Sequence, residues 1–128
     1  MNNVKQITVL SFGFLYGLPA EADMVLDTRG MANPFYVPAL SKLTGLDGPV
    51  QDFIWQDEDS SAYLEAMIEM LRLRMQLFEQ WDSPNRKPLT IAVGCTGGRH
   101  RSVATALRLS EALQAWGYQV TLKHRELS

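Results

Sequence analysis

The sequence is poor in the residues that build disulfides and metal cages. Its 128 residues contain one cysteine, Cys95, and two histidines, His100 and His124. A single cysteine excludes an internal disulfide, and so few sulfur and imidazole ligands argue against a zinc cage. A chain of this length can still bury a core of its own. We therefore expect one domain, residues 1–128, that needs no metal and no cofactor.

The sequence also lacks a long apolar run and a large excess of either charge. No apolar stretch approaches the roughly 20 residues that a membrane-spanning helix needs, and the start MNNVKQITVLSFGF lacks the uninterrupted apolar core of a signal peptide. The formal net charge is -2, which gives no global positive field for nucleic acid or an anionic membrane. We expect a cytoplasmic protein with no membrane partner, in which any anion site is local.

Glycine and proline are not enriched, with 9 and 6 residues, and together with a hydrophobic content of 46% this argues against disorder. Short apolar runs predict strands, and apolar residues at three- and four-residue spacing predict helices. The predicted strands cover residues 5–12, 24–27, 88–94 and 119–122. Two predicted helices cover residues 49–55 and 102–116. A third, longer helix is predicted to start at a cap among residues 59–61, to run to about Trp81 and to stop before Pro84.

The order of these elements predicts the fold class. Strands separated by helices or long crossovers, each able to bury both faces, are typical of an α/β domain with a mostly parallel sheet. We expect a small three-layer domain of about four strands, with a breaker-rich loop over 29–49. Ligands of such sheets bind beyond the carboxyl ends of the strands. Residues 11–14, 26–29 and 94–98 all fall at the ends of predicted strands and should converge there.

The stretch GCTGGRHRS at residues 94–102 carries the strongest functional signal. It joins a predicted core strand to the last long helix, so its backbone N–H groups and the positive end of the helix dipole should point at one spot. Arg99, His100 and Arg101 add side-chain donors there. Cations at a helix N-terminus oppose the dipole and need an anion beside them. The loop is therefore predicted to hold a phosphate.

The same residues also satisfy the spacing CxxGxxRS of cysteine-dependent phosphatases. In that hypothesis the Cys95 thiolate attacks phosphorus, Arg101 binds phosphoryl oxygens, and Asp27 or Asp23 protonates the leaving group. Those enzymes usually carry a histidine before the cysteine, where this chain has Gly94. A buried, unreactive cysteine at a strand end is the more common outcome, and we weight it above catalysis.

Longer stretches of the chain closely resemble the C-terminal domain of the RapZ family. The matching segments are SFGFLYGLPAEAD at 11–23, LDTRGMANPFYVPAL at 26–40, LTGLDGPV at 43–50 and IAVGCTGGRHRSVATA at 91–106. The resemblance implies a stand-alone domain without the family's N-terminal P-loop part. It also implies a small α/β sheet, which agrees with the fold predicted from the pattern.

The resemblance implies the following candidate site residues. Its phosphate loop falls on Thr96, Gly97, Gly98, Arg99, His100, Arg101 and Ser102, and the ligand-orienting candidates at the other strand ends and turns are Asp27, Arg29, Ser11, Gly13 and Asn33. One difference is Phe35, which follows the NP pair where some members carry a histidine that contacts an amino sugar. Cys95 matches the family's cysteine, so the resemblance explains the phosphatase-like spacing without requiring phosphatase activity.

Members of the family act as adapters that bind small regulatory RNAs and recruit a ribonuclease, and their C-terminal domain senses glucosamine-6-phosphate. The resemblance thus implies a non-enzymatic sensing domain for a sugar phosphate. A phosphorylated small molecule, or inorganic phosphate or sulfate, is the expected partner, and a nucleotide, RNA, a partner protein and a homo-oligomer remain open. The end LKHRELS has fewer cations than the family's RNA-binding tail. An RNA module would need a basic stripe from Arg99, Arg101, Lys123 and Arg125.

Overall fold

The computed structural model describes residues 5–80 and 88–127. Its elements, in chain order, are strand β1 (Gln6–Gly13), strand β2 (Met24–Asp27), helix α1 (Gly48–Gln56), helix α2 (Glu58–Glu79), strand β3 (Leu89–Cys95), helix α3 (Arg101–Ala115) and strand β4 (Gln119–His124). Single 3-10 turns lie at Phe14–Tyr16 and Pro34–Tyr36. In the described part of the chain, no helix is both long and apolar enough to cross a membrane.

The strands form one four-stranded sheet in the order β2-β3-β1-β4, and every neighbouring pair is parallel. The predicted α/β class and the predicted number of strands are therefore confirmed. β4 pairs with β1 and reaches two residues beyond the predicted end, to His124.

One face of the sheet and all three helices share a single hydrophobic core. Odd-numbered residues of β1 and β3, such as Val9 and Ile91, pack with Ile54 of α1, Leu71 of α2 and Leu109 of α3, and each of these side chains is fully buried. The core residues of α2 recur at three- and four-residue spacing, as an amphipathic helix requires. The helices thus form one layer over this face.

The opposite face of the sheet is covered at its centre by the β1–β2 connection. Gly94 of β3 points to this side, and a Cβ atom there would lie 2.5 Å from the ring of Phe12 and 2.6 Å from that of Phe14. The two rings pack edge to face at 4.8 Å between centroids. The ring of Phe14 in the connection, packed on that of Phe12 in β1, rather than a helix, therefore covers this side of Gly94.

The start of α2 differs from the sequence prediction. Asp59, Ser60 and Ser61 were the predicted caps, whereas the helix begins at Glu58 with Asp57 as its N-cap. The Asp57 carboxylate accepts from the Ser60 N–H at 2.9 Å and from the Ser60 hydroxyl at 2.7 Å. Both hydrogen bonds lower the pKa of Asp57. The predicted end of this helix, at about Trp81 and before Pro84, lies outside the described residues.

All four strands point the same way, so their carboxyl ends lie along one edge of the sheet. Residues 14–17, 28–31, 96–100 and 125–127 follow β1, β2, β3 and β4 at this edge. The 29–49 connection, which contains the predicted short turns, folds back onto it: the Gly45 N–H donates to the carbonyl of Arg99 at 2.8 Å. This edge of the domain carries the candidate site.

Candidate functional site

The loop between β3 and α3 turns sharply because of its glycines. Gly98 has a φ of 75°, a conformation that side chains with a Cβ rarely adopt. The loop also packs directly on the end of β1: a Cβ on Gly13 would lie 2.6 Å from the carbonyl carbon of Gly97, and one on Gly98 would lie 2.5 Å from the Gly13 nitrogen. Both positions therefore require glycine, and Gly13 shapes the loop without lining a cavity.

The backbone of this loop leaves its donors free. Two loop carbonyls are occupied, since Thr96 accepts from the Leu15 N–H at 3.1 Å and Arg99 accepts from the Gly45 N–H. Within residues 5–80 and 88–127, the N–H groups of residues 96–103 have no hydrogen-bond acceptor. The first N–H group with an acceptor is that of Ala104, which donates to the His100 carbonyl. His100 is the N-cap of α3 and provides no side-chain cap. Free N–H groups at a helix start form an anion-binding surface.

A cavity of about 640 Å³ lies over this loop. Its walls come from the loop itself, from the turn after β1 and from the 33–42 segment. The lining residues are Leu15, Tyr16, Asn33, Phe35, Tyr36, Ser41, Lys42, Cys95, Thr96, Gly97, Arg99, His100 and Arg101. The lining includes Lys42, Arg99 and Arg101 but no carboxylate. The cavity is therefore electropositive and suited to an anion.

Arg101 is the buried cation of the cavity, with 7% of its surface exposed. Its guanidinium donates to the Met31 carbonyl at 3.4 Å and to the Thr96 hydroxyl at 3.5 Å, both long hydrogen bonds. In the described part of the chain it forms no ion pair with a carboxylate, and only the longer-range charge of Asp27, whose pKa Arg101 helps to lower, acts on it. Burying a charge without a directly paired counter-ion is costly, and an anion in the cavity would offset that cost.

His100 is held by the connection that covers the loop. Its Nε2 lies 2.7 Å from the carbonyl oxygen of Leu43, and because a carbonyl only accepts, Nε2 carries the proton. In the neutral ring Nδ1 is then an acceptor, which suits a ligand hydroxyl. Nδ1 can donate to a phosphate oxygen only when the ring is protonated. His100 thus anchors the 40–45 segment to the phosphate loop as well as lining the cavity.

Cys95 and Ser102 lie beneath the loop. The Cys95 thiol donates to the Ser102 hydroxyl at 3.1 Å, and both side chains are buried. Cys95 lines the cavity, whereas Ser102 does not. Neither aspartate proposed as its acid partner lines the cavity: the Asp23 carboxylate accepts from the Thr90 N–H at 2.9 Å, and Asp27 lies elsewhere. The cavity lining therefore provides a sulfur atom but no carboxylic acid to protonate a leaving group.

Asp27 and Arg29 lie in a neighbouring cavity of about 410 Å³ together with Met31, Ser60 and Tyr63. The Arg29 guanidinium donates to both carboxylate oxygens of Asp27, at 3.0 and 2.8 Å, and stacks on the Phe14 ring at 3.8 Å from its centroid. These contacts lower the pKa of Asp27, chiefly through the Arg29 hydrogen bond. The two residues predicted to orient the ligand thus hydrogen-bond to each other and do not line the larger cavity, although Arg101 also contributes to the lowered pKa of Asp27.

The remaining predicted ligand-orienting residues are divided between the cavity and the core. Asn33 lines the cavity, and its Oδ1 accepts from the Phe35 N–H at 3.1 Å, which leaves its amide NH₂ free to donate. Ser11 is fully buried at the other end of the sheet edge, where its hydroxyl lies 2.7 Å from His124 Nδ1. Burial lowers the pKa of His124.

Several lining residues escaped the sequence analysis. Leu15, Tyr16, Tyr36, Ser41 and Lys42 line the cavity without having been predicted, and Phe35 was noted only as a departure from the family. The available signal was composition: three aromatic residues and a lysine stand in segments otherwise rich in glycine and proline. Exposed aromatic rings in such segments are typical of binding surfaces.

Two further expectations concern metals and RNA. In the part of the chain that the structure describes, no group of three or more metal-ligating side chains lies together. Of the four basic residues proposed as an RNA-binding stripe, Arg99 and Arg101 line the cavity, and Lys123 and Arg125 do not. Arg101 is buried at the cavity, Arg125 pairs with Glu126 at 2.8 Å, and Lys123 lies on the exposed edge strand.

Comparison with known proteins assigns relatives to this chain. The family model described as the RapZ C-terminal domain matches residues 5–128. A nucleotide-binding protein of Lactiplantibacillus plantarum is 48% identical over 121 residues, which cover 94% of this chain and 40% of the relative. A nucleotide-binding protein of Clostridium beijerinckii is 42% identical over 122 residues, with 95% and 40% covered. The chain thus spans about 40% of the length of these curated relatives.

Proposed function

Because this chain belongs to the RapZ C-terminal domain family, we propose that it is a non-enzymatic regulatory domain that binds a small phosphorylated metabolite, of the sugar-phosphate class, at the loop over residues 94–102. The observation that carries the proposal is the electropositive cavity over that loop. Its floor presents unpaired N–H groups beside a buried Arg101, and no carboxylate lines it. A phosphate supplies the acceptors and the negative charge that this arrangement lacks.

The proposed roles follow from the contacts. The N–H groups of Thr96, Gly97 and Gly98 donate to phosphate oxygens, as does the planar fork of Arg101, whose remaining N–H groups are free. Asn33 and His100 stand further along the lining, where an amide donor and an imidazole acceptor fit the hydroxyls of a sugar. The hydroxyl-bearing part of the ligand would thus lie towards the 33–43 segment.

Regulation would follow from the way the cavity is built. The 33–45 segment is held on the loop by the His100–Leu43 and Gly45–Arg99 hydrogen bonds, so a ligand that contacts both would tighten their packing. A ligand that binds one arrangement of the 33–45 segment more tightly raises the population of that arrangement. A partner that contacts this surface would then respond to the ligand. The relatives are named nucleotide-binding proteins, and an adapter role with a protein or RNA partner is part of the proposal.

Phosphatase chemistry is less well supported. Attack by Cys95 on a phosphate monoester would require a group that protonates the leaving oxygen. No carboxylate lines the cavity, and the Arg29 guanidinium holds the pKa of Asp27 below its ordinary value, so that this carboxyl is ionised near neutral pH. The thiol is instead engaged with Ser102. These contacts fit a binding loop that keeps a cysteine as a small packing residue.

Calorimetric titration of the purified domain tests the proposal. Inorganic phosphate and hexose 6-phosphates are titrated into the wild type, Arg101→Ala and Arg108→Ala. Arg108 is the matched control because it lies on the same helix outside the cavity and pairs with Glu111 at 3.8 Å. Loss of the charge-assisted hydrogen bonds of Arg101 should weaken binding by about a hundredfold, and Arg108→Ala should bind as the wild type does.

Thermal unfolding of each variant shows that it is folded, and Arg101→Lys provides a milder change if Arg101→Ala is not. Equal binding by the wild type and the folded Arg101 variant would refute the proposed site. Hydrolysis of an aryl phosphate that disappears in Cys95→Ser would instead support the phosphatase alternative.

A further inference from the structure

Strand β1 extends beyond its pairing with β4. The parallel pairing of these two strands ends where Ser11 lies opposite His124, and the Arg125 N–H adds a hydrogen bond to the Ser11 carbonyl at 2.9 Å. Gly13, the last residue of β1, lies past this point. A strand end that leaves its partner strand still needs acceptors and donors for its backbone groups.

Two consecutive side chains of the turn after β4 meet the backbone of Gly13. The Gly13 N–H donates to Glu126 Oε2 at 2.9 Å, and the Arg125 guanidinium donates to the Gly13 carbonyl at 3.4 Å. The same guanidinium donates to the Gly17 carbonyl at 2.7 Å. Side chains of the 125–126 turn thus hold both the end of β1 and the turn that follows it.

Glu126 also packs against the loop between β3 and α3. A Cβ atom on Gly98 would lie 2.5 Å from Glu126 Cγ and 2.5 Å from the Gly13 nitrogen, so this loop rests on both partners of the Gly13–Glu126 hydrogen bond. The Glu126 side chain is only 14% exposed, yet it does not line the cavity over the loop. Any effect of Glu126 on a ligand in that cavity must therefore pass through the loop.

The charge of Glu126 is compensated by its neighbour. An unpaired carboxylate close to a loop that binds an anion would repel that anion. Arg125 forms an ion pair with Glu126 at 2.8 Å, and its Nε donates to the same carboxylate oxygen at 2.9 Å. The pair thus provides an acceptor for the Gly13 N–H and adds little net charge beside the loop.

We infer that Glu126 is a positioning residue of the anion-binding loop, which it holds in its binding arrangement by accepting the Gly13 N–H and packing against Gly98. The inference rests on the proposed function and adds a route of regulation to it. Coupling between two sites is reciprocal, so phosphate in the cavity stabilises the 125–127 turn, and displacement of this turn weakens phosphate binding.

Calorimetric titration with inorganic phosphate tests the positioning role. Glu126→Ala removes the acceptor of the Gly13 N–H and should weaken binding about fivefold, the size expected of a residue that acts through its neighbours. Glu126→Gln keeps a side-chain oxygen for this N–H and should bind within about twofold of the wild type. Glu111→Ala is the matched control, because Glu111 pairs with Arg108 within α3, and it should not change the affinity.

Amide NMR spectra of the ¹⁵N-labelled domain measure the coupling itself. In the wild type, phosphate should move the amide signals of Gly13 and of residues 125–127, although none of these residues lines the cavity. In Glu126→Ala at saturating phosphate, the signals of Thr96 and Gly97 should still move and those of residues 125–127 should not. A residue that contributed only to the stability of the fold would not produce this selective loss.

Thermal unfolding without phosphate shows whether each variant is folded, and the wild-type NMR response decides the question if Glu126→Ala is not. The inference would be overturned by unchanged affinity in folded Glu126→Ala, by Glu126→Gln binding as weakly as Glu126→Ala, or by signals of residues 125–127 that ignore phosphate in the wild type. The proposed function would survive each of these results, because it depends on Arg101. Absence of phosphate binding by the wild type would overturn both.

Discussion

The two cavities at the carboxyl edge of the sheet use arginine in opposite ways. In the smaller cavity Arg29 is matched by Asp27 through two hydrogen bonds and rests on the Phe14 ring. In the larger cavity Arg101 is more deeply buried and has only long hydrogen bonds to uncharged oxygens. Arg29 is thus directly paired with a carboxylate, whereas Arg101 forms no ion pair and acts on Asp27 only at longer range, where it contributes to the lowered pKa of that carboxyl.

The backbone repeats this difference. In the turn after β2, N–H groups find acceptors within the turn. The Arg29 N–H donates to Asp27 Oδ1 at 2.9 Å, and the Met31 N–H donates to the Thr28 carbonyl at 3.1 Å. The turn after β3 leaves the N–H groups of residues 96–103 without acceptors in the described ranges. The two turns at the carboxyl edge of one sheet thus differ in how many of their N–H groups have an acceptor.

The largest effect is expected from replacing Gly98 in the loop after β3, with Gly30 in the turn after β2 as the comparison. Gly98→Ala places a Cβ 2.5 Å from the Gly13 nitrogen on a backbone with positive φ, and it should reduce the free energy of unfolding by about 2 kcal/mol. Gly30→Ala in the smaller cavity meets no atom within 4 Å and should be close to neutral. Chemical denaturation measures both, and equal stabilities would contradict the close packing of the phosphate loop.

A smaller effect is expected from removing the paired charges. Asp27→Asn and Arg29→Ala should change phosphate affinity by about twofold at most, since neither residue lines the larger cavity. Calorimetry against inorganic phosphate provides the measurement. A loss as large as that of Arg101→Ala would show that the pair contacts the ligand and that the two cavities function as one site.

The same pair predicts an effect on acid stability. Arg29 lowers the pKa of Asp27 from 3.8, so the stability that the pair contributes is present above this pH and is lost as the pH falls through the lower folded-state value. Asp27→Asn should remove that part of the acid dependence. Denaturation midpoints recorded between pH 5 and pH 2 test this, and an unchanged profile in the variant would show that the ion pair contributes nothing in solution.

The smallest effect concerns His124, outside both cavities. Burial lowers its pKa from 6.5, so the folded protein resists protonation and should lose stability as the pH falls below 6.5. His124→Gln should flatten the profile between pH 7 and pH 5, as followed by denaturation midpoints. A profile that stays the same would mean that the imidazole is as accessible in the folded protein as in the unfolded chain.

Local pattern predicted the loop between β3 and α3 but not the cavity over it. The order of apolar strand, glycines and amphipathic helix is written within residues 89–116, so the sheet, the loop and the place of Arg101 at the helix start followed from the sequence. Lys42 and Tyr16 reach the cavity through long-range hydrogen bonds, such as Leu43 to His100 and Leu15 to Thr96. No local spacing encodes these bonds.

The place of Asp27 outside the larger cavity has a related cause. Its position at the end of β2 was correct, but a carboxylate at a strand end can face a ligand or a neighbouring side chain. Here the Asp27 carboxylate faces Arg29, two residues away. The Phe14 ring, from another strand end, holds the Arg29 guanidinium in place for this contact. Sequence spacing showed the pair and could not show the ring beneath it.

Titration of the ¹⁵N-labelled domain with inorganic phosphate, followed by NMR, tests the central claim most directly. The account predicts that the amide signals of residues 96–103 move first and furthest, that those of residues 27–31 stay almost unchanged, and that Arg101→Ala suppresses the response. Amide signals that do not move with phosphate, or that move equally in both turns, would contradict it.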